Sequence, residues 1–194
     1  MEVAIARALR SDSFASISRI LDAARRVFAS GDGSGSLDRI AREAGVGIAT
    51  LYRHFPNRQL LARAVFEEIF TSELEPLFAE FERNDAPRFA LLSVAERLVE
   101  IADRERGLAT SLGNMTQIAL EFLRDKTEEF APMVARAQRA GNLRPDIVAA
   151  DIPNLLALIV GGITALGDNK AERRRYLSML LDAVNPAHAI PLPQ

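Results

Sequence analysis

The chain has no cysteine and only two histidines among its 194 residues. Without cysteine it can form no disulfide, no thiolate nucleophile and no cysteine-ligated zinc site, and a cytoplasmic location is expected. His54 and His188 lie at opposite ends, and the chain contains neither H-E-x-x-H nor G-x-S-x-G. Because neither a zinc hydrolase nor a familiar nucleophile triad can be assembled, we predict that the protein is not an enzyme and needs no metal or cofactor.

A long uninterrupted apolar run is also absent. The N-terminal stretch MEVAIARALRSDSF carries Glu2, Arg7 and Arg10, which break the apolar core that a secretory signal requires. The longest apolar stretch, IPNLLALIVGGITALG, is interrupted by Pro153 and Asn154 and is shorter than the roughly 18 residues of a membrane span. We therefore expect a soluble protein without a membrane partner.

Lysine is missing from the first third of the chain, yet that third is the basic part. Residues 1–60 contain nine arginines and six acids, whereas residues 61–194 carry a net charge of −5. A net charge of +3 is a weak indication of a polyanionic partner, because many solvated surfaces carry as much. The overall content of 48% hydrophobic and 26% charged residues is that of an ordinary globular protein.

Almost every periodic segment has the helical period. Apolar residues recur at three- and four-residue steps from Phe14 to Phe28, which predicts an amphipathic first helix. Ser36 precedes a second, short helix that Gly45 ends, and Asn57 is a candidate N-cap for a long fourth helix. The sequence thus predicts an all-α fold of about nine helices.

The stretch GVGIATLYRHFPNR and the short helix before it have the pattern of a helix-turn-helix motif. Ala41 and Ala44 are small where two helices must cross closely, and Gly45 can take the left-handed conformation of the turn. Val46 and Leu51 hold the second helix against the first. The outward residues of that second helix are then free to enter a groove of DNA.

The pattern SLDRIAREAGVGIATLYRHFPNRQLLARAV, with RILDAARRVFASG before it, resembles the N-terminal DNA-binding domain of the TetR (tetracycline-repressor-type) family of bacterial regulators. Its most specific elements are Gly45-Val46, Thr50-Leu51-Tyr52 and His54-Phe55. The resemblance implies an obligate homodimer in which two heads bind the half-sites of a near-palindromic double-stranded DNA operator. It also implies a C-terminal helical domain that binds a small molecule.

The resemblance implies roles for individual residues as well. Thr50 and Tyr52 carry phosphate-contacting hydroxyls, Arg58 replaces the family's usual lysine, and Ser36 stands where the family usually has a threonine near a phosphate. The loop before Ser36 lacks the aromatic residue that often follows the glycine.

The resemblance also implies that three positions of the second helix of the motif reach the bases. Ile48 and Ala49 have no hydrogen-bonding side chain and can read only thymine methyl groups or groove shape, while Arg53 is a long donor suited to a guanine edge. Most of the affinity should therefore come from phosphates and depend strongly on salt. The predicted DNA-binding residues are Ser36, Gly47, Ile48, Ala49, Thr50, Tyr52, Arg53, His54 and Arg58.

Several of these residues also have structural interpretations. His54 is either a packed structural histidine or a phosphate contact, and Tyr52 either contacts phosphate or caps a small core. The loop GDGSGS resembles a phosphate-cradling loop, but no strand precedes it and no lysine follows it, so a flexible linker explains it better. His188 lies in a Pro-rich tail and is interpreted as solvated.

The predicted domains are 1–60 for the helix-turn-helix domain, with 1–12 as a flexible arm, 61–185 for the ligand-binding and dimerisation domain, and 186–194 for the tail. A long helix is predicted from Thr116 to Ala140, with a kink at Pro132. Large apolar residues of the middle helices either line a cavity for a small, largely apolar effector or simply pack the core. The candidate pocket residues are Phe81, Phe89, Leu112, Met115, Ile118 and Phe122.

The last two predicted helices, Asp151 to Leu166 and Ala171 to Val184, are apolar around most of their circumference. Such a helix must be buried on both sides, either across a two-fold axis in a four-helix bundle or at the centre of a monomeric core. The candidate dimer-interface residues are Leu155, Leu158, Ile159, Gly162, Ile163, Leu177, Leu180 and Leu181.

Together these features predict a ligand-responsive, homodimeric DNA-binding transcriptional regulator that acts as a repressor. The alternative is a helical small-molecule-binding or adaptor protein whose head no longer binds DNA.

Overall fold

The computed structural model describes residues 2–29, 36–83, 88–113, 115–187 and 189–192. Regular structure within these ranges is entirely helical, which confirms the all-α class. Residues 31–35 of the loop GDGSGS and His188 lie outside the described residues. Within the described residues the α-helical segments number eleven, where about nine were predicted: α1 (Glu2–Ala29), α2 (Leu37–Ala44), α3 (Ile48–His54), α4 (Arg58–Ile69), α5 (Glu75–Arg83), α6 (Arg88–Arg104), α7 (Arg106–Leu112), α8 (Met115–Asp125), α9 (Thr127–Arg139), α10 (Ile152–Thr164) and α11 (Lys170–Ala183).

Two differences account for the larger number of helices. A π-helical turn, Phe70–Leu74, separates α4 from α5 within the long fourth helix that the sequence predicted. The predicted long helix of residues 116–140 is divided at Lys126, which leaves Pro132 inside the shorter α9.

The first helix is longer than predicted. α1 begins at Glu2, so residues 2–12, which were predicted as a flexible arm, are helical. Its buried face contains Ile20, Ala24, Val27 and Phe28, each at most 1% exposed. Ile5 and Leu9 have helical spacing, but the polar run of residues 10–13 separates them from Phe14, which is why the sequence did not indicate the extension.

The chain divides into two compact units, Met1–Glu68 with Glu105–Ile118, and Ile69–Arg104 with Ala119–Gln194. The first unit, called the head below, extends past the predicted boundary at residue 60 and includes α7 from much later in the chain. The predicted tail is hydrogen-bonded to the second unit at one point, where the amide of Leu192 donates to the Asp146 carboxylate over 2.9 Å.

The helix α7 is joined to α1 inside the head. The Arg25 guanidinium donates to the Glu105 carboxylate, with an Nη2–Oε1 distance of 2.5 Å. A Cβ atom built on Gly107 would overlap the backbone carbonyl group of Ala29, so the two backbones touch there. Leu108 is fully buried. Close backbone approach and an ion pair thus attach α7 to the end of α1.

The core of the second unit is built mainly from α6, α9, α10 and α11. Ala95, Val99, Ile163 and Leu177 form one buried apolar cluster. A second cluster surrounds α9 and the loop before α10, and its buried members are Val134, Ala137, Leu143 and Ile147. No helix among the described residues is long and apolar enough to cross a membrane.

Candidate nucleic-acid interface

The helix-turn-helix motif is built by local hydrogen bonds that the sequence anticipated. The Oγ of Ser36 accepts from the amide of Arg39 at 3.2 Å, which confirms Ser36 as the N-cap of α2. Gly45 is left-handed at φ 63°, and the amide of Val46 donates to the Ala41 carbonyl over 3.0 Å. This is a Schellman-type helix end, and it turns the chain directly into α3.

The helix α3 is anchored in the head mainly by Leu51 and by Phe55, the residue that follows the helix. Leu51 is fully buried and Phe55 is 8% exposed, as the spacing predicted. The amides of Thr50 and Leu51 donate to the Gly47 carbonyl, at 2.9 and 3.1 Å. The exposed residues of the short helix, Ile48, Ala49, Tyr52 and Arg53, are therefore available to a partner.

The outward face of α3 combines apolar groups with hydrogen-bond donors. Ile48 is 37% and Tyr52 48% exposed, and Ala49 and Arg53 are also exposed. Residues 48 and 52, like residues 49 and 53, are one turn apart, so all four lie on neighbouring parts of the helix surface. Among the residues that the structure describes, the Arg53 guanidinium and the Tyr52 hydroxyl have no hydrogen-bond or ion-pair partner. Their donors are free to contact a ligand outside the chain.

The other predicted DNA-binding residues differ in how available they are. Ser36 and Gly47 are exposed and Thr50 is half-buried. The Ser36 Oγ serves as an acceptor in the cap, and its hydroxyl proton can still be donated. The guanidinium carbon of Arg58 lies 4.9 Å from the centre of the buried Phe28 ring, an interaction that the sequence did not suggest.

His54 is partly turned into the protein. Its Nε2 atom is buried and has no hydrogen-bond partner among the described residues, and its ring lies 6.4 Å from that of Phe55. The buried Nε2 atom supports the structural interpretation of His54. The predicted phosphate contact would have to be made by the other ring nitrogen, Nδ1.

The head also contains an ionic cluster. Arg25 of α1 faces Glu105 and also interacts electrostatically with Glu68 near the end of α4. Burial raises the pKa of Glu68 above its usual value, the nearby Asp22 adds to the rise, and Arg25 opposes it. The head therefore contains a partly buried set of charges that α1, α4 and the residue before α7 supply together.

The structure tests the predicted pocket residues only in part. The side chains of Phe81, Phe89, Leu112 and Met115 lie outside what is described. Ile118 and Phe122 are both buried, but Ile118 is grouped with the head and Phe122 with the second unit. The pocket therefore stays a prediction.

Phe122 belongs to an aromatic cluster in the second unit. Its ring meets that of Phe70 edge-on, with centroids 5.2 Å apart, and Phe78 extends the contacts to Phe130 at 5.9 Å. The Lys126 ammonium lies 5.4 Å from the centre of the Phe70 ring. A hydrogen bond to Glu129 raises the pKa of Lys126, so the ammonium stays charged. The sequence indicated Phe122 but missed the cation beside these rings.

Three of the eight predicted dimer-interface residues are core residues of the chain itself, so that part of the prediction was wrong. Ile163 and Leu177 are 1% exposed and Leu181 is 7% exposed. Because apolar residues surround both helices, the sequence pattern showed that the helices are largely buried. It could not show which side of each helix faces the chain's own α6.

Other members of the predicted set do lie at the surface. Leu158 is 71% and Leu180 44% exposed, Gly162 is exposed, and Leu155 and Ile159 are half-buried. The sequence had not included Leu166, Tyr176 and Met179, which are exposed apolar residues of the same two helices and the turn between them. We replace the predicted interface set with the exposed apolar residues of these two helices and their turn, and call them the α10–α11 face below. They are Leu158, Leu166, Tyr176, Met179 and Leu180.

Two family models match the chain. Residues 20–65 match bacterial regulatory proteins of the tetR family, and residues 86–186 match the C-terminal domain of SbtR-like transcriptional regulators. The first match spans the last third of α1 through most of α4, and the second spans α6 through α11. Between them they include both the motif and the helices that follow it.

Individual proteins resemble the chain over most of its length. The HTH-type transcriptional regulator UidR of Escherichia coli (strain K12) is 28% identical over 165 residues, 79% of this chain and 81% of UidR. A crystal structure of a TetR transcription regulatory protein from Mycobacterium vanbaalenii is 29% identical, with a TM-score of 0.57 over 91% of this chain and 99% of the other. RolR, crystallised with its ligand resorcinol, is 19% identical with a TM-score of 0.68, over 95% of this chain and 98% of RolR, and shows a shared fold.

Proposed function

The chain belongs to the TetR family of bacterial regulators and is a DNA-binding transcription regulator, and from this premise we propose that it is a ligand-responsive repressor that binds a near-palindromic operator as a homodimer. The observation that carries the proposal is the outward face of α3. Ile48, Ala49, Tyr52 and Arg53 are exposed together on a short helix that Leu51 anchors. A helix of this kind fits the major groove.

The chemistry of the face suggests how DNA is bound. The Tyr52 and Thr50 hydroxyls are suited to phosphate oxygens, and the Arg53 guanidinium to the O6 and N7 atoms of a guanine. Ile48 and Ala49 offer only apolar contact, which suits thymine methyl groups. Affinity should then come mainly from the DNA backbone, with Arg53 contributing most of the hydrogen-bonded base recognition.

The homodimer supplies the second recognition helix. The α10–α11 face contains Leu158, Met179 and Leu180, which are between 44% and 71% exposed in the single chain. Two copies that bury this face against each other would hold two heads on one duplex. Successive major grooves on one side of DNA are about 34–36 Å apart, so the two recognition helices must adopt that separation.

The proposed effector is small and largely apolar, and it would act from the second unit. The phenyl rings of Phe70, Phe78, Phe122 and Phe130 give that unit an aromatic interior. We propose that the effector binds best when the recognition helices do not have the spacing that DNA requires. Bound effector would then weaken DNA binding by the same free energy by which bound DNA weakens effector binding.

Selection of binding sites from a random duplex pool, followed by a salt titration on the enriched sequence, tests the proposal. We expect an inverted repeat whose affinity falls steeply with salt concentration. A folded homodimer that enriches no sequence would contradict it. The result would favour the alternative of a helical small-molecule-binding or adaptor protein.

A further inference from the structure

The start of α4 combines two positive features of the head. Arg58 is the first residue of α4, and the first turn of the helix contains no acidic residue. The N-terminal end of a helix carries a partial positive charge and outward-pointing amide hydrogens, so it attracts anions and disfavours an additional cation. An arginine at this place therefore suits an anion that the helix end and the guanidinium can share.

The sequence around Arg58 also lacks negative charge. Residues 44–66 contain no aspartate or glutamate, whereas they include Arg53, Arg58 and Arg63. This stretch covers all of α3 and most of α4. A polyanion that meets α3 therefore meets no opposing charge from this part of the chain.

Arg58 lies close to α3 along the chain. The helix α3 ends at His54 and α4 begins at Arg58, and four residue steps span at most about 14 Å even when fully extended. The major groove of DNA is about 12 Å wide, and phosphates border it on both sides. A duplex whose groove holds α3 therefore brings phosphates within reach of the start of α4.

The side chain of Arg58 is held by the first helix. Its guanidinium carbon lies over the ring of Phe28, 4.9 Å from the ring centre, which is within the range of a cation–π interaction. A planar guanidinium can lie on an aromatic face while its edge donates hydrogen bonds, and the compact ammonium of a lysine does this less well. The contact joins α1 to the N-terminal end of α4.

The ring of Phe28 is a fixed support. Phe28 is fully buried, as are Ile20 and Ala24 on the same face of α1. In a close-packed core a phenyl ring has little room to move. Arg58 itself is half-buried, so part of its surface stays accessible. The contact thus joins a rigid group to one that a partner can reach.

Holding the guanidinium in advance has a consequence for binding. A mobile arginine side chain must give up several rotamers when it binds a phosphate, and this loss of entropy weakens the contact. We propose that Phe28 is a positioning residue for DNA binding: its ring holds the guanidinium of Arg58 where it contacts a phosphate of the duplex. The inference rests on the DNA binding proposed above and requires no particular arrangement of the dimer. Phe28 itself contacts no DNA in this proposal.

Four variants of the full-length protein test it. Phe28→Leu removes the ring and keeps an apolar side chain, Arg58→Ala removes the guanidinium, and the double variant removes both. Ile20→Val is the matched control, because Ile20 is another fully buried residue of α1 and the change also removes part of a core side chain. Fluorescence anisotropy would measure the affinity of each variant for the selected duplex over a range of salt concentrations. Circular dichroism would establish a temperature at which all of them are folded.

The coupling between the two residues is the decisive result. We expect Phe28→Leu to weaken duplex binding about three- to tenfold for each bound chain, because the cation–π contact no longer holds the guanidinium. In the Arg58→Ala background the same change should have no effect, and Ile20→Val should leave the affinity unchanged. Arg58→Ala should lower the slope of log affinity against log salt concentration by about 0.9 for each bound chain, since one phosphate contact is lost. A merely structural role of Phe28 would lower stability and leave the two residues uncoupled in DNA affinity.

Failure of the proposed function and failure of the inference can be told apart. If the unmodified protein binds no duplex, the proposed function fails and the inference fails with it. If it binds and Arg58→Ala leaves both the affinity and the salt slope unchanged, only the inference is wrong. An equal effect of Phe28→Leu with and without Arg58, or an equal loss in Ile20→Val, also overturns the inference. Should Phe28→Leu not fold, Phe28→Met takes its place in the same comparison, because methionine fills the space with a flexible apolar chain that has no ring.

Discussion

The α3 surface and the α10–α11 face both expose large apolar side chains, yet they differ in what lies between these side chains. On α3, the exposed Ile48 and Tyr52 lie close to Arg53 and to the half-buried Thr50. Hydrogen-bond donors of Thr50, Tyr52 and Arg53 therefore lie beside the apolar side chain of Ile48. On the other face, Leu158 is 71% and Met179 57% exposed, and Leu180 adjoins Met179. The first surface suits a hydrated, charged partner, and the second suits burial against another apolar surface.

The comparison shows that exposure alone does not identify a function. An exposed isoleucine on a short helix with free donors is consistent with groove binding, whereas exposed leucines on two long helices favour association of copies. The two surfaces also belong to different compact units. Changes in one unit can therefore be separated experimentally from changes in the other, and the predictions below use that separation.

The largest effect is expected on the α10–α11 face. Leu158→Asp together with Leu180→Asp would place unpaired charges in the dimer interface, at a cost of about 3–5 kcal/mol for each buried charge. Sedimentation equilibrium should show the dimer dissociation constant raised by about a thousandfold or more. Leu60→Asp is the control, because Leu60 is a leucine of the head about as exposed as Leu180, and this change should leave the dimer intact. Equal dissociation constants for all three proteins would show that the apolar face is not the interface.

The next effect concerns the attachment of α7 to the head. Gly107→Ala should lower the free energy of unfolding by about 3 kcal/mol, because the new methyl group has no space beside the Ala29 backbone. Gly161→Ala is the matched control in α10, where nothing lies within 4 Å of the added carbon. Urea unfolding of both variants measures the difference. Similar stabilities would show that α7 does not pack on α1 as described.

A smaller effect is expected from the hydroxyls of α3. Thr50→Ala combined with Tyr52→Phe removes two hydrogen bonds to charged phosphates, which together are worth about 2–3 kcal/mol. Fluorescence anisotropy should show weaker binding to the selected operator and to unrelated duplexes by the same factor. A loss confined to the operator would mean that these residues read bases instead.

The smallest effect is expected from Arg53, whose loss should reduce the preference for particular bases more than the overall affinity for DNA. Arg53→Ala should reduce discrimination at one or two positions of each half-site by about 1–2 kcal/mol, because a guanine edge loses its donor. Repeating the site selection with the variant would reveal this as a relaxed base preference. Retention of the full consensus would assign base reading to other residues.

Much of the head could be predicted because its signals are local. The cap at Ser36, the left-handed Gly45 and the Asn57 cap, whose Oδ1 accepts from the amide of Leu60 at 2.9 Å, depend on residues within four positions of one another. Their residue types have few other uses in such places. The outward face of α3 followed from the position of Leu51.

The remainder depends on contacts between distant parts of the chain. Nothing near Ile163 or Leu181 indicates which side of their helices faces the second unit's core, so the predicted interface mixed core and surface residues. The docking of α7 on α1 and the π turn were missed for the same reason. Signals for both were present: Gly107 is a glycine inside a helix, and Pro76 is a proline inside another.

The most direct test of the account is a stoichiometric titration of the purified protein on its selected duplex, compared with a duplex that contains a single half-site. If α3 reads DNA and the α10–α11 face joins two copies, two chains will bind each inverted repeat, and affinity for the single half-site will be lower by at least about a hundredfold. One chain per duplex, or equal affinity for both duplexes, would contradict the division of labour between the two surfaces.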